Sequence, residues 1–181
     1  MALTVESLCN SQGNYHFGFL TINQEPTGYV GAYLLTNRWV RPLEFRISSA
    51  VQPNKVQQIL YGDSLRSFLF ADVIAKTLVE KSSTPATVIL TDQPEVIGLA
   101  NKLDVTVACL AKAESQAPEG TLTAVGPRGI GLHCFGTAET AELLSKMFEG
   151  MDIDLAEPFI RIRDAIQETR RIGPKTPAQA A

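Results

Sequence analysis

Imidazole and thiol groups are scarce in this sequence. Its 181 residues include two histidines, His16 and His133, and three cysteines, Cys9, Cys109 and Cys134. Acid–base and nucleophilic centres are built mainly from His, Cys, Lys and paired carboxylates, so the supply of reactive groups is thin and no catalytic triad stands out. The cysteines are odd in number, widely spaced and without a C-x-x-C pair. That excludes a disulfide framework and leaves reduced thiols that pack as small apolar groups. Basic charge is in deficit, with 16 Lys and Arg against 19 Asp and Glu and a net charge of −3. Tight nonspecific binding of nucleic acid by a whole surface needs a basic field, so nucleic acid is not the expected partner. Long apolar runs are missing too. Residues 7–24 form the longest uncharged stretch, but Asn10, Gln12, Asn14, His16 and Asn23 interrupt it, and neither a membrane span nor a membrane partner is expected. Residues 1–8 lack a basic segment and contain Glu6, which argues against a secretory signal and for a soluble, cytoplasmic protein.

What is present suffices for a core. Apolar residues make up 45% of the chain, inside the globular range and outside the disordered one. A chain of this length buries a core without disulfides or metal. The expectation is one α/β domain over residues 1–173. Residues 174–181 (PKTPAQAA) have nothing to bury and read as a loose tail. Residues 113–120 (AESQAPEG) read as a loop between two halves.

The chain opens on strand-like alternation. Tyr15, Phe17, Phe19 and Thr21 alternate with His16, Gly18, Leu20 and Ile22. Residues 24–28 (QEPTG) have turn chemistry, residues 29–36 read as a second strand, and residues 39–48 as a third with Trp39, Arg41, Leu43, Phe45 and Ile47 on one face. Short connections make these a three-stranded antiparallel meander. Pro42 has no N–H to donate, which places the third strand at an edge or starts it at Leu43. Pro53 and Asn54 open a short helix that ends near Tyr61 and Gly62. Asp63 or Ser64 then caps a helix to about Lys81 that is apolar on most sides and therefore buried, with Asp72 and Lys76 spaced to pair. Residues 86–90 (ATVIL), 93–102 (QPEVIGLANK) and 105–110 (VTVACL) read as strand, helix, strand, a parallel βαβ unit. Residues 121–125 and 130–135 flank a GPRG turn as a hairpin. Thr137 caps a helix through Glu149. Asp154 with Glu157 resembles a capping box for a last helix that carries Leu155, Phe159, Ile162 and Ile166 on one stripe, with Arg170 and Arg171 in its final turn and Gly173-Pro174 as its stop. The fold class expected is α/β with a mixed sheet.

Thr91 and Asp92 end the ATVIL strand, and open α/β sheets place ligands just beyond strand carboxyl ends. The order of elements over residues 15–110, together with the segment VILTDQPEVIGLAN, resembles the ribonuclease H-like superfamily. The resemblance implies a phosphodiesterase dependent on Mg2+ or Mn2+, with Asp92 as a metal-binding aspartate. In that family the first strand carries the primary aspartate and the first long helix a glutamate. Here residues 16–22 hold no carboxylate, and Asp63 and Asp72 are the nearest candidates on the helix. A two-ion site needs several converging carboxylates. A plainer reading of Thr91 and Asp92 is a cap ahead of Pro94.

His16, His133 and Cys134 form the only soft-ligand cluster. Neighbours on a strand face opposite ways, so His133 and Cys134 do not share an ion, and a Cys–His catalytic pair meets the same objection. Residues 126–131 (GPRGIG) lack phosphate-loop spacing and precede a strand, so they read as a turn. Arg161, Arg163, Arg170 and Arg171 read as a solvated, partly paired helix face. Trp39 with Arg38, Arg41 and Arg46 is the candidate interaction patch, because Trp and Arg dominate interface hot spots. The balance favours a non-enzymatic interaction or regulatory module that binds a protein partner or itself, without cofactor or metal. The alternatives are a ribonuclease H-like phosphodiesterase or its degenerate relative, using Asp92 and Asp72 with Mg2+ or Mn2+, and a small-molecule binder at the strand ends near Asp92.

Overall fold

The computed structural model describes residues 14–112 and 116–172. Alternating apolar residues build its sheet. β1 (His16–Glu25) and β2 (Gly28–Asn37) pair antiparallel from His16–Asn37 to Glu25–Gly28. β3 (Pro42–Ile47) pairs antiparallel with β2 at the sheet edge, where a proline is tolerated. β4 (Val88–Thr91) lies parallel to β1, and β5 (Thr106–Leu110) parallel to β4. The hairpin of β6 (Leu122–Val125) and β7 (Gly131–Cys134) completes seven strands in the order β3-β2-β1-β4-β5-β7-β6. Meander, βαβ unit and C-terminal hairpin are as the sequence predicts.

Short helical pieces cross one face. After α1 (Lys55–Tyr61), a 3-10 turn (Gly62–Ser64) leads through α2 (Leu65–Ser67) and a π-helical stretch (Phe68–Ala75) into α3 (Lys76–Glu80). Leu69, Phe70, Ile74 and Leu78 of this run, with Val96 and Leu99 of a 3-10 helix (Pro94–Asn101), pack on Leu20, Ile22, Tyr33, Ile89 and Val107. The opposite face carries Phe17, Phe19, Leu34, Val88 and Leu90. These meet Leu144 and Phe148 of α4 (Ala138–Phe148) and Phe159, Ile162 and Ile166 of α5 (Glu157–Ile172). Each such side chain, fully buried, is worth about 1.5–3 kcal/mol of transfer free energy. Thr137 and Asn54 cap α4 and α1 as expected, each through a reciprocal box.

Several local expectations are corrected. Trp39 is not in β3. The Asn37 Oδ1 accepts the amide protons of both Trp39 and Arg41 at 3.0 Å, closing a turn in which Val40 takes φ +60°; the third strand starts at Pro42. The turn after β1 shrinks to Pro26 and Thr27 because both strands run on to meet at Glu25 and Gly28. Asp72 does not pair with Lys76. It meets Lys102 at 3.0 Å, while Lys76 reaches Glu80 at 3.8 Å. The intervening residues are π-helical, and i→i+5 winding carries the i+4 position off the shared face. Ser64 caps nothing and instead donates to the Tyr61 carbonyl at 2.7 Å. Asp154 accepts the Ala156 amide proton at 2.8 Å, and Glu157 turns to Arg161 rather than closing a box. The tail at 174–181, the Gly173-Pro174 stop and Cys9 lie outside the described residues.

Candidate functional site at the ends of β1 and β4

Parallel pairing sets Leu20 opposite Thr91. One residue further, Thr21 and Asp92 come abreast, and the period of two turns both toward α5. Gln93 locks this junction. Its Oε1 accepts the Ile22 N–H at 2.8 Å and its Nε2 donates to the Ile22 carbonyl at 2.6 Å, so a side chain continues the ladder where β4 has ended. The Thr91 hydroxyl accepts the Gln93 N–H at 3.2 Å. Thr91 therefore takes the turn-closing role that the sequence leaves open between it and Asp92.

Asp92 is free for another partner. Its Oδ2 accepts a hydrogen bond from Arg163 Nη2 on α5. The aspartate side chain is 14% exposed and the arginine 42%. Oδ1 of Asp92 and Oγ1 of Thr21 are buried without a hydrogen-bond partner. Further along the same helix, Arg170 pairs with Glu25 at the end of β1. Arg161 donates to the Val40 carbonyl through both terminal nitrogens at 3.2 Å and pairs with Glu157 at 2.8 Å. Arg161, Arg163 and Arg170 thus tie the helix to the sheet and the turn before β3, while Arg171 pairs with Glu168 on its own helix. Thr21, Gln93 and the Arg163–Asp92 contact are the features that sequence reasoning does not find.

The remaining candidates stay apart from this centre. Asp72 lies on the opposite side of the sheet with Lys102, and Asp63 is exposed in the 3-10 turn. Cys109 pairs in register with both Thr91 and His133, which puts a thiol and an imidazole on one face, as His133 and Cys134 are not. The thiol is pushed up to about 12 by burial and by the nearby charges of Asp92 and Glu95, against the pull of Lys112. Burial and the charge of Asp92 thus favour the neutral thiol over the thiolate that nucleophilic attack needs. His133 Nδ1 is 3.1 Å from the Thr123 hydroxyl, and His16 is on β1, with β4 and β5 between it and β7. Among the described residues no group of three or more His, Cys, Asp and Glu is placed to hold a metal ion.

The interaction patch is brought together in part. The Arg38 guanidinium lies over the Trp39 ring, 5.4 Å from its centroid, and Trp39 is 67% exposed. Arg46 is drawn away to Glu44. Because Asn37 pairs with His16 while Asp92 is level with Thr21, this tip lies about 17 Å along the strands from Asp92, at about 3.3 Å per residue.

The superfamily resemblance implies Mg2+ or Mn2+ at Asp92. The donors here do not fit one. Among the described residues the unpartnered donors at this junction are one carboxylate oxygen of Asp92 and the Thr21 hydroxyl. Mg2+ takes one or two carboxylates with water and substrate phosphate completing its shell, so what opposes an ion here is the guanidinium that already holds the carboxylate's other oxygen. Among the described residues no helix is long and apolar enough to cross a membrane.

No family model matches this sequence, and no curated protein matches it. In structure, the chain is similar to an endonuclease V of Ciona intestinalis in complex with a 23mer DNA containing an inosine followed by a ribo-adenosine. The TM-score is 0.52 at 11% identity, covering 94% of this chain and 100% of that one. An endonuclease V from Bacillus subtilis gives a TM-score of 0.48 at 14% identity, over 90% of this chain and 81% of that one. A Marinitoga piezophila Argonaute in complex with 5′ OH guide RNA gives 0.38 at 10% identity, over 76% of this chain and 25% of that one. The fold shared with the Ciona protein corrects the expectation of a non-enzymatic module for a protein partner or itself. The matched fold belongs to an endonuclease solved on DNA, which also counts against the expectation that nucleic acid is not a partner.

Proposed function

We propose that this chain is a nucleic-acid-directed member of the ribonuclease H-like phosphodiesterases, with its working centre at the carboxyl ends of β1 and β4. The observation that carries this reading is the position of Asp92. It follows the last residue of β4, one step beyond the Leu20–Thr91 pair and beneath α5, at the strand ends where open α/β sheets receive ligands. The shared fold with the Ciona endonuclease supports the substrate class. The acid set is reduced, since residues 16–22 hold no carboxylate where the superfamily's first strand carries its aspartate, so the chain reads as a derived member rather than a standard two-ion enzyme. The overall charge of −3 weakens whole-surface attraction but leaves room for local contacts. Arg38 over the exposed Trp39 makes a second contact point, because an indole face with a guanidinium stacks on unpaired bases without regard to sequence.

The test is fluorescence anisotropy with labelled single-stranded and duplex DNA and RNA, with and without inosine, at low salt. Binding that weakens as salt rises, and that drops several-fold in Trp39→Ala, is the expected result. No binding to any of these oligonucleotides overturns the reading. The same samples are followed for cleavage in EDTA and in Mg2+ or Mn2+. Turnover lost in Asp92→Asn assigns the reaction to this centre, and turnover unchanged in that variant removes Asp92 from it.

A further inference from the structure

We infer that Arg163 is the resident cation of the Asp92 centre and the group that meets the phosphodiester backbone. Asp92 holds one edge of the guanidinium, and its outward edge takes a phosphate oxygen where a divalent ion would otherwise stand. This rests on the nucleic-acid reading and names the contact that the reading leaves open.

Three observations carry it. The first is position. Phe159, Ile162 and Ile166 are 2%, 1% and 0% exposed and seat α5 on the sheet, so the helix delivers Arg163 to the ends of β1 and β4 in a fixed register. The second is orientation. Asp92 is 14% exposed and Arg163 is 42% exposed, so the pair turns its carboxylate inward and its guanidinium outward. Among the described residues the contact with Asp92 is the one hydrogen bond and the one ion pair shown for Arg163. A guanidinium has five N–H donors in a planar fork that matches phosphate, so donors remain for a ligand after Asp92 is satisfied. The third is the mismatch with a metal. A divalent ion approaching Asp92 would find its charge already paired with Arg163 and, among the described residues, no group of three or more His, Cys, Asp and Glu placed to complete its shell. A phosphodiester approaching the same point finds a cation that is anchored, partly exposed and short of partners.

The experiment uses the full chain and two readouts. Mn2+ binding to the free protein is followed by electron paramagnetic resonance, and oligonucleotide binding by anisotropy across a salt series, in EDTA and in Mn2+. The wild type is expected to show no stoichiometric Mn2+ site and to bind the oligonucleotide equally well with and without the ion. Arg163→Gln is expected to weaken binding by about five- to tenfold and to lower the salt slope by about one. Arg163→Lys, which keeps the charge but loses the fork, should fall between. Asp92→Asn, which keeps the cation but loosens it, should weaken binding less than Arg163→Gln does. Thermal melts confirm that each variant is folded.

One Mn2+ bound per chain and lost in Asp92→Asn overturns the inference. So does oligonucleotide binding that disappears in EDTA, or an Arg163→Gln variant with wild-type affinity and slope. Failure of the wild type to bind any nucleic acid removes the functional reading and the phosphate contact together. The Mn2+ measurement on the free protein still decides which cation Asp92 holds.

Discussion

Thr21 of β1 and Asp92 just past β4 each lie one residue beyond the paired Leu20 and Thr91, and neither Thr21 Oγ1 nor Asp92 Oδ1 has a hydrogen-bond partner although both are buried. An unpaired buried hydroxyl costs about 1–3 kcal/mol of desolvation that nothing returns. Valine has the same shape without the hydroxyl. Thr21→Val is therefore expected to raise stability by about 1 kcal/mol, read as a higher urea midpoint at unchanged m. A loss of that size instead would show that the hydroxyl is bonded, for instance by a held water, and would undo this description of the site.

The Asp92–Arg163 contact should couple the two residues energetically. Exposed ion pairs are worth about 0–1 kcal/mol, and removing one partner from a fully buried pair costs about 3–5 kcal/mol. With Asp92 mostly buried and Arg163 half exposed, the coupling from a cycle of Asp92→Asn, Arg163→Gln and the double variant is expected near 1–2 kcal/mol. The pair Arg171–Glu168, at 3.5 Å with side chains 81% and 60% exposed, is the control and should couple by less than about 0.5 kcal/mol. Equal couplings for the two pairs would mean that α5 merely carries surface charge.

The strands were legible because their signals are local. Phe17 and Phe19 alternate with Leu20 and Ile22, and VILT is short and β-branched, so period and length alone identify β1 and β4. The strand-end position of Asp92 was legible for the same reason. What Asp92 touches was not. Arg163 and Asp92 are 71 residues apart in sequence, as are Gln93 and Ile22. Both contacts depend on β4 inserting beside β1 and on α5 folding back over that junction, which no local pattern encodes. Trp39 failed differently. Its alternation with Arg41 and Leu43 is strand-like, but the Asn37 side chain satisfies two backbone amides and turns the chain before the pattern takes effect.

Glu44 gives the fold an acid-sensitive contact. It accepts from Ser82 Oγ, Ser83 N and Ser83 Oγ, each at 3.0 Å, and from Arg46. Burial works against its charge, but the Ser83 and Ser82 donors and Arg46 outweigh that and hold the carboxyl below its ordinary value of 4.5. A group depressed on folding contributes stability that is complete above its unfolded pKa and is lost as pH falls through the folded value. The contribution of Glu44 should thus be intact at neutral pH and decline below about pH 4.5. Urea midpoints compared at pH 7 and pH 3 should fall further for the wild type than for Glu44→Gln. Identical declines would mean that other carboxylates set the acid limb.

Gly31 is where the helical run meets the sheet. A Cβ built there runs into the Ile74 Cγ2 and lies 3.0 Å from the Leu78 Cδ1. Both neighbours are buried, at 2% and 4% exposure, so neither can swing away, and forcing a methyl into such a place costs about 1–3 kcal/mol. Gly31→Ala is expected to lower stability by that amount. Ile74→Ala alone should cost about 2–5 kcal/mol through the cavity it leaves. The double variant should lose less than the sum by at least about 1 kcal/mol, because each change relieves the other. Gly98 provides the contrast, since a Cβ there would meet the Ala71 Cβ at an ordinary 3.7 Å. Gly98→Ala should be neutral or stabilising by up to about 1 kcal/mol, through a less free unfolded chain. If Gly31→Ala proves as harmless as Gly98→Ala, the π-helical stretch does not seat on β2 as described. The face of the sheet behind Thr91 would then be held less firmly than the site requires.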